Sequence, residues 1–186
     1  MKTFAELESL DMNWVKSRTG MFQPASFQLL DHNQQVLATI TRSGWGGVAT
    51  VDAPGNRWTF QRKTRWLKSF IRITSVGTGE EPAECERHGN SSILTYPDGQ
   101  TFRWKPVSWL SGSKWVWTDA DGSPILGIEL RGFWQTRGEV HIDPEMDVQK
   151  APPLLLFLGW YLILLHQDEA AATAATIAST TSASFT

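Results

Sequence analysis

Residues 154–165 read Leu-Leu-Leu-Phe-Leu-Gly-Trp-Tyr-Leu-Ile-Leu-Leu and present no polar face at any helical spacing. A helix that is apolar all round has to be enclosed, by protein or by lipid. Counted from Ala151 to Leu165, the stretch would reach about 22 Å at about 1.5 Å per residue. A bilayer needs about 17 to 25 apolar residues to cross roughly 30 Å. Extending the run draws in His166, Gln167, Asp168 and Glu169, and an acid at mid-membrane costs about 2.5 to 3.5 kcal/mol. A helix over 152–166 buried in the protein is therefore the expectation, and a tail anchor inserted through 151–166 is the alternative. Eleven large apolar side chains lie between Leu154 and Leu165. At about 1.5 to 3 kcal/mol each for full burial, the segment would be the centre of the fold.

Upstream, the hydrophobic period changes from helical to two. Apolar strands at 27–30, 36–40, 48–51, 58–60, 93–96, 101–104, 115–118 and 125–128 alternate with turns rich in Asp, Asn and Gly. The turn aspartates Asp31, Asp52, Asp98 and Asp121 are separated by 21, 46 and 23 residues. The long gap holds a degenerate hairpin, 70–74 and 85–88, and a last pair is expected over 130–136 and 139–142. That makes about 12 short antiparallel strands, mainly β. Such a sheet closes on itself to remove its edges, and a barrel of that size has room for an axial helix. Pro152 and Pro153 suit the first helical turn. Gly159 costs about 1 kcal/mol relative to Ala, so close approach of a strand or a Trp ring is expected there. The ten tryptophans supply bulk for a wide core. Phe4, Leu7 and Leu10 are spaced for a short helix or arm within 1–25, the barrel is expected over 26–169, and the Ala/Thr/Ser-rich residues 170–186 read as a helical extension fraying into a disordered tail.

A closed barrel with Asp-x-x-Gly turns such as Asp119-Ala120-Asp121-Gly122, completed by a threading apolar helix at 154–165, resembles the tubby C-terminal-like superfamily. That group holds tubby-like proteins, LURP-one-related proteins and phospholipid scramblases. The resemblance implies a non-enzymatic scaffold associated with lipid or a membrane surface. It also implies headgroup binding by basic residues that include a Lys-x-Arg pair, a form that Lys63-Thr64-Arg65 shares. GFP-like cans carry their helix in mid-chain with a chromophore, and lipocalins pack an amphipathic helix outside the barrel. Neither pattern is present here.

The strongest local signal is basic. Arg57, Arg62, Lys63, Arg65, Lys68 and Arg72 lie in a stretch without acids, interleaved with Trp58, Phe60, Trp66 and Phe70. On a strand Lys63 and Arg65 share a face, so their donors could converge on one phosphate, with Trp66 at headgroup level. The bland reading is a solvated hairpin face. With a formal charge of −2 the chain has no global field for nucleic acid. An anionic lipid headgroup, a membrane surface or a protein partner is the expected partner.

Signals for chemistry are weak. Cys85 and His88 point to opposite faces of a strand, which disfavours a Cys–His nucleophile. His141 and Asp143 share a face, but no third ligand accompanies them and a strand end entering a Pro turn explains them, so no metal is expected. The glycines between Ser43 and Gly47 lack the following Lys-Ser/Thr of a phosphate loop, and 131–134 reads as a kinked strand. No catalytic residue and no cofactor is expected. The one cysteine excludes an internal disulfide and suits a reducing compartment. Acidic residues at 6, 8 and 11 argue against a secretory signal. The expected location is the cytoplasm, at a membrane surface.

Overall fold

Among the described residues twelve antiparallel strands form a closed barrel, and one helix runs through it. The computed structural model describes residues 12–17, 24–43, 47–66, 68–107, 114–131, 137–142 and 152–183. The strands are β1 (Met12–Lys16), β2 (Ala25–Leu30), β3 (Val36–Ser43), β4 (Val48–Ala53), β5 (Asn56–Arg65) and β6 (Lys68–Ser75), followed by β7 (Glu84–His88), β8 (Ser91–Thr95), β9 (Thr101–Pro106), β10 (Lys114–Thr118), β11 (Pro124–Arg131) and β12 (Arg137–Ile142). The helix α1 spans Pro153–Ala183. Every strand pairs with its neighbours in sequence, and β1 closes the ring against β12 through Met12 opposite Val140 and Trp14 opposite Gly138.

The expected count of twelve holds, but its composition differs. Met12–Lys16 is a barrel strand rather than part of an arm, because Met12 and Trp14 alternate into the core at 1% and 0% exposure. The expected strands 125–128 and 130–136 are instead one strand through Arg131. The expected short helix around Phe4, Leu7 and Leu10, the glycines at 44 and 46, residues 132–134, and Asp143 lie outside the described residues.

Period-two patterning makes the barrel wall. Trp58 and Phe60 on β5, Ile71 and Ile73 on β6, and Trp115 and Trp117 on β10 point inward and are buried. Turn chemistry sets the hairpins: Asp31 accepts from the backbone N–H of Asn33 and Gln35 at 2.9 and 2.8 Å, and Asp98 accepts from Gln100 N–H at 2.9 Å. In the fourth turn the acceptor is Asp119, bonded to Ser123 N–H at 2.8 Å, rather than Asp121.

All twelve residues from Leu154 to Leu165 are buried inside the barrel. The segment that could have entered a bilayer thus fills the protein, and no helix among the described residues is long and apolar enough to cross a membrane. Aromatic rings lock helix to wall: Trp160 stacks on Trp14 with centroids 5.3 Å apart, and Phe60 meets Tyr161 at 5.4 Å. Gly159 has the expected close neighbours, since a Cβ there would lie 2.9 Å from Trp117 Nε1 and 3.1 Å from Trp104. The same indole donates to the Leu155 carbonyl at 2.8 Å. Beyond the expected central helix 152–166 the expected helical extension is present, and it runs further than a frayed tail would. It continues through the Ala/Thr-rich segment to Ala183, with residues 170–176 exposed. Alanine's helix propensity explains the continuation, and the hydroxyls of Thr173 and Thr176 donate to the carbonyls four residues back, which satisfies them without favouring the helix.

Odd-numbered strands run toward the mouth from which α1 emerges, here the exit end. Even-numbered strands run back to the entry end, where α1 begins.

Candidate functional site

The β5–β6 hairpin is the longest arm of the wall, with Arg65 paired to Lys68 across a two-residue connection. Trp66 sits there with a positive φ of 50°, the left-handed geometry that two-residue hairpin turns require. It is 89% exposed, while the six buried tryptophans, Trp14, Trp58, Trp104, Trp115, Trp117 and Trp160, are each at most 7% exposed. This tryptophan is therefore not core.

The alternation that buries Trp58 and Phe60 divides the six expected cations. Lys63 and Arg65 fall on the outward face of β5, opposite Phe70 and Lys68 of β6. Arg62 falls on the inward face at the exit mouth. Arg57 lies at the entry end, about 26 Å along the strand from Arg65 at about 3.3 Å per residue. It pairs there with Asp52 at 2.7 Å. Lys68 pairs with Glu86 at 2.9 Å, which raises the lysine's pKa and lowers that of the carboxyl, in each case chiefly through their shared hydrogen bond. Arg72 donates from Nε to Glu81 at 2.6 Å. Lys63 and Arg65 form no ion pair among the described residues. The structure thus brings Lys63, Arg65, Trp66 and Lys68 together at the exit end and separates Arg57 and Arg62 from them. Below the tip, Lys63 edges an outer-wall cleft of about 620 Å³ that also takes in Phe70, Arg72, Glu84 and Tyr96.

A second cluster lies inside the exit mouth, and the sequence reading missed it. Arg42 of β3, Arg62 of β5 and Arg87 of β7 hold the same inward register as Ile40, Phe60 and Cys85 two residues before them. They close on two carboxylates of α1. Arg42 forms a two-pronged ion pair with Asp168. Arg87 grips Glu169 at 2.9 and 3.1 Å, and Arg62 reaches the same carboxylate at 2.7 Å. The Arg87 guanidinium, foremost by its hydrogen bond, holds the Glu169 carboxyl below the usual carboxylate range. The available signal was a charged residue in the inward register at a strand end. Its partners lie 82 and 126 residues away, so spacing alone does not suggest the contact.

Cys85 is fully buried on the inner face of β7 and His88 is exposed. Burial pushes the thiol up to about 12, so it is protonated at neutral pH. Among the described residues no three His, Cys, Asp or Glu side chains come together in a way that could hold a metal ion. Comparison with known proteins finds no family model, no curated protein and no solved structure that matches the chain.

Proposed function

We propose that the protein is a non-enzymatic module that binds anionic membrane surfaces peripherally through the tip of the β5–β6 hairpin. The observation that carries this reading is Trp66, 89% exposed and flanked by Arg65 and Lys68. An indole left in water at a turn forfeits burial energy that every buried tryptophan in this chain gains. At a membrane interface it finds its preferred depth, with the ring among headgroups. Among the described residues no ion pair neutralises Lys63 or Arg65, which leaves both to face an anionic surface. Each cation near anionic lipid contributes on the order of 1 kcal/mol, over a Debye length of roughly 8 to 10 Å. The resemblance to tubby-like barrels, some of which bind phosphoinositides, agrees with this reading.

Co-sedimentation with phosphatidylserine-containing vesicles tests it. The wild type should bind, and binding should weaken as salt rises from low to physiological. Replacing Lys63 and Arg65 by Ala removes about 2 kcal/mol, or about thirtyfold in affinity, with little change in stability because exposed charges contribute little to folding. Trp66→Ala should weaken binding with less dependence on salt. A wild type that ignores anionic vesicles at low salt, or a double mutant that binds equally well, overturns the proposal.

A further inference from the structure

The outer-wall cleft below Lys63 owes its existence to a short strand. β6 continues three residues past Arg72 to Ser75, whereas β7 begins only at Glu84, the residue across from Arg72. β8 ends at Thr95, across from Glu84 on the other side. Below that row the wall has no β7, and residues 76–83 pass around the gap. Both rims are fixed by backbone hydrogen bonds. On one, Ser75 N–H donates to the Glu80 carbonyl at 2.8 Å and Gly79 N–H to the Ser75 carbonyl at 2.9 Å. On the other, Tyr96 N–H donates to the Gln100 carbonyl at 2.9 Å and Gly99 N–H to the Tyr96 carbonyl at 3.0 Å. The cavity of about 620 Å³ is thus preformed, and its size is that of a small-molecule site, roughly 300 to 1,000 Å³.

Its apolar surface comes from Phe70, Ala83, Tyr96 and Pro97, and its charge from Lys63, Arg72, Glu81 and Glu84. Two of the four charges cancel, because Arg72 meets Glu81 at 2.6 Å through Nε and at 2.5 Å through Nη2. Glu84 is thereby left without the arginine directly across the strand pair. Among the described residues neither Glu84 nor Lys63 forms an ion pair. The two are also too far apart in the sheet to be cross-strand neighbours. Lys63 lies opposite Phe70 and Glu84 opposite Arg72, which is two strands and two residues of separation, or about 12 Å between Cα atoms.

We infer that this cleft binds a short peptide with free ends, its carboxylate on Lys63 and its ammonium on Glu84. The charge pattern selects the class. A simple anion drawn to Lys63 meets Glu84 in the same cavity, and a simple cation drawn to Glu84 meets Lys63, so each gains at one end and loses at the other. A ligand carrying both charges gains at both. Spacing selects the length. An extended chain of two or three residues spans about 7 to 11 Å, which suits anchor points about 12 Å apart whose side chains supply the remaining reach. The apolar walls then receive the peptide's side chains. Phe70 serves the carboxylate end, as the cross-strand neighbour of Lys63, and Tyr96 and Pro97 serve the ammonium end, because they follow Thr95, the neighbour of Glu84. The inference does not rest on the membrane reading, although Lys63 takes part in both.

Calorimetric titration and amide NMR of the full chain without vesicles test it, with the dipeptide Leu-Phe as probe. Leu-Phe should bind saturably and shift the amide signals of Phe70, Glu84 and Tyr96. Its N-acetyl and C-terminal amide forms should each bind about tenfold more weakly, since each loses a charge-assisted contact. Glu84→Gln should erase the preference for the free ammonium, and Lys63→Met the preference for the free carboxylate. Both side chains reach solvent, so both variants should unfold at the wild-type urea concentration. Glu84→Gln should also sediment with phosphatidylserine vesicles as the wild type does, which separates this site from the hairpin tip. Absence of saturable binding, equal binding of the capped forms, or an undiminished ammonium preference in Glu84→Gln overturns the inference. Tighter binding of glycerophosphocholine than of Leu-Phe overturns it too, since the cleft would then take a lipid headgroup. Leu-Phe binding by a wild type that ignores vesicles would uphold the inference and overturn the membrane reading alone.

Discussion

Trp160 of α1 lies flat against the backbone of β12 at Gly138, in the space that any larger residue's Cβ would take. A methyl built there overlaps the indole at Cζ3 and comes within 2.9 Å of Cη2. The ring cannot retreat, because Trp14 is stacked on it at 5.3 Å and Phe27 meets it edge-on at 5.8 Å.

Gly138→Ala should accordingly cost more stability than Gly159→Ala, although both add one methyl to the same core. Overpacking typically costs about 1 to 3 kcal/mol and occasionally more. At Gly159 a helix-propensity gain of about 1 kcal/mol offsets part of it, and the nearest atom is 2.9 Å away rather than overlapping. Urea denaturation of the two variants should rank them in that order. The opposite ranking would mean that the Trp14–Trp160 stack yields easily.

The helix should be indispensable only up to the arginine cluster. Leu158 is fully buried, so Leu158→Asp places an unpaired charge in the core, at a cost of several kcal/mol against a typical stability of 5 to 15. A chain ending after Lys150 should be insoluble. One ending after Glu169 should unfold at nearly the wild-type urea concentration, because residues 170–176 are exposed. One ending after Leu165 should be weaker, with Arg42, Arg62 and Arg87 left facing one another. Solubility and circular dichroism report all three.

Acid should loosen the exit mouth. The Glu169 carboxyl titrates below its ordinary value of 4.5 in the folded protein, so its contribution is complete above the unfolded pKa and is lost as pH falls through the lower, folded one. Stability measured from neutral pH down through this range should fall in the wild type. In Glu169→Gln it should start lower and fall less steeply. Parallel pH profiles would show that the Arg62–Glu169–Arg87 contact adds nothing to folding.

The thiol of Cys85 should be silent in the native protein. Burial pushes its pKa up to about 12, and thiol reagents attack the thiolate. A chromogenic thiol reagent in mildly alkaline buffer should find no reactive group until guanidinium unfolds the chain, and then one. Rapid native labelling would indicate that the wall opens at β7.

The residues that revealed the barrel in the sequence are those whose neighbours along the chain report their burial. Trp58 and Phe60, or Trp115 and Trp117, alternate with polar residues, and that period is a local consequence of the pleat. The run from Leu154 to Leu165 is equally local, and Gly159 within it points to a close neighbour. β1 escaped this logic. Five residues that include Met12 and Trp14 carry a weak period, and what makes them a strand is closure against β12, more than a hundred residues on. For the candidate site, parity was enough to put Lys63 and Arg65 on one outward face, but it could not say which cations were already neutralised. Asp52 for Arg57 is local, whereas Glu86 for Lys68 and Glu169 for Arg62 arrive from other elements.

What the sequence determined by itself was therefore which side chains must leave water and with what period, and hence a closed antiparallel wall around an apolar helix. Hydrophobic periodicity is a property of consecutive residues and survives without knowledge of the fold. Only the tertiary structure decided which end of the barrel each charge occupies, that Arg42, Arg62 and Arg87 converge on Asp168 and Glu169, and that Trp66 stands in solvent while the other six described tryptophans are buried. Those outcomes depend on strand direction and on the sense in which α1 threads the ring, and both arise from pairings between residues far apart in the chain.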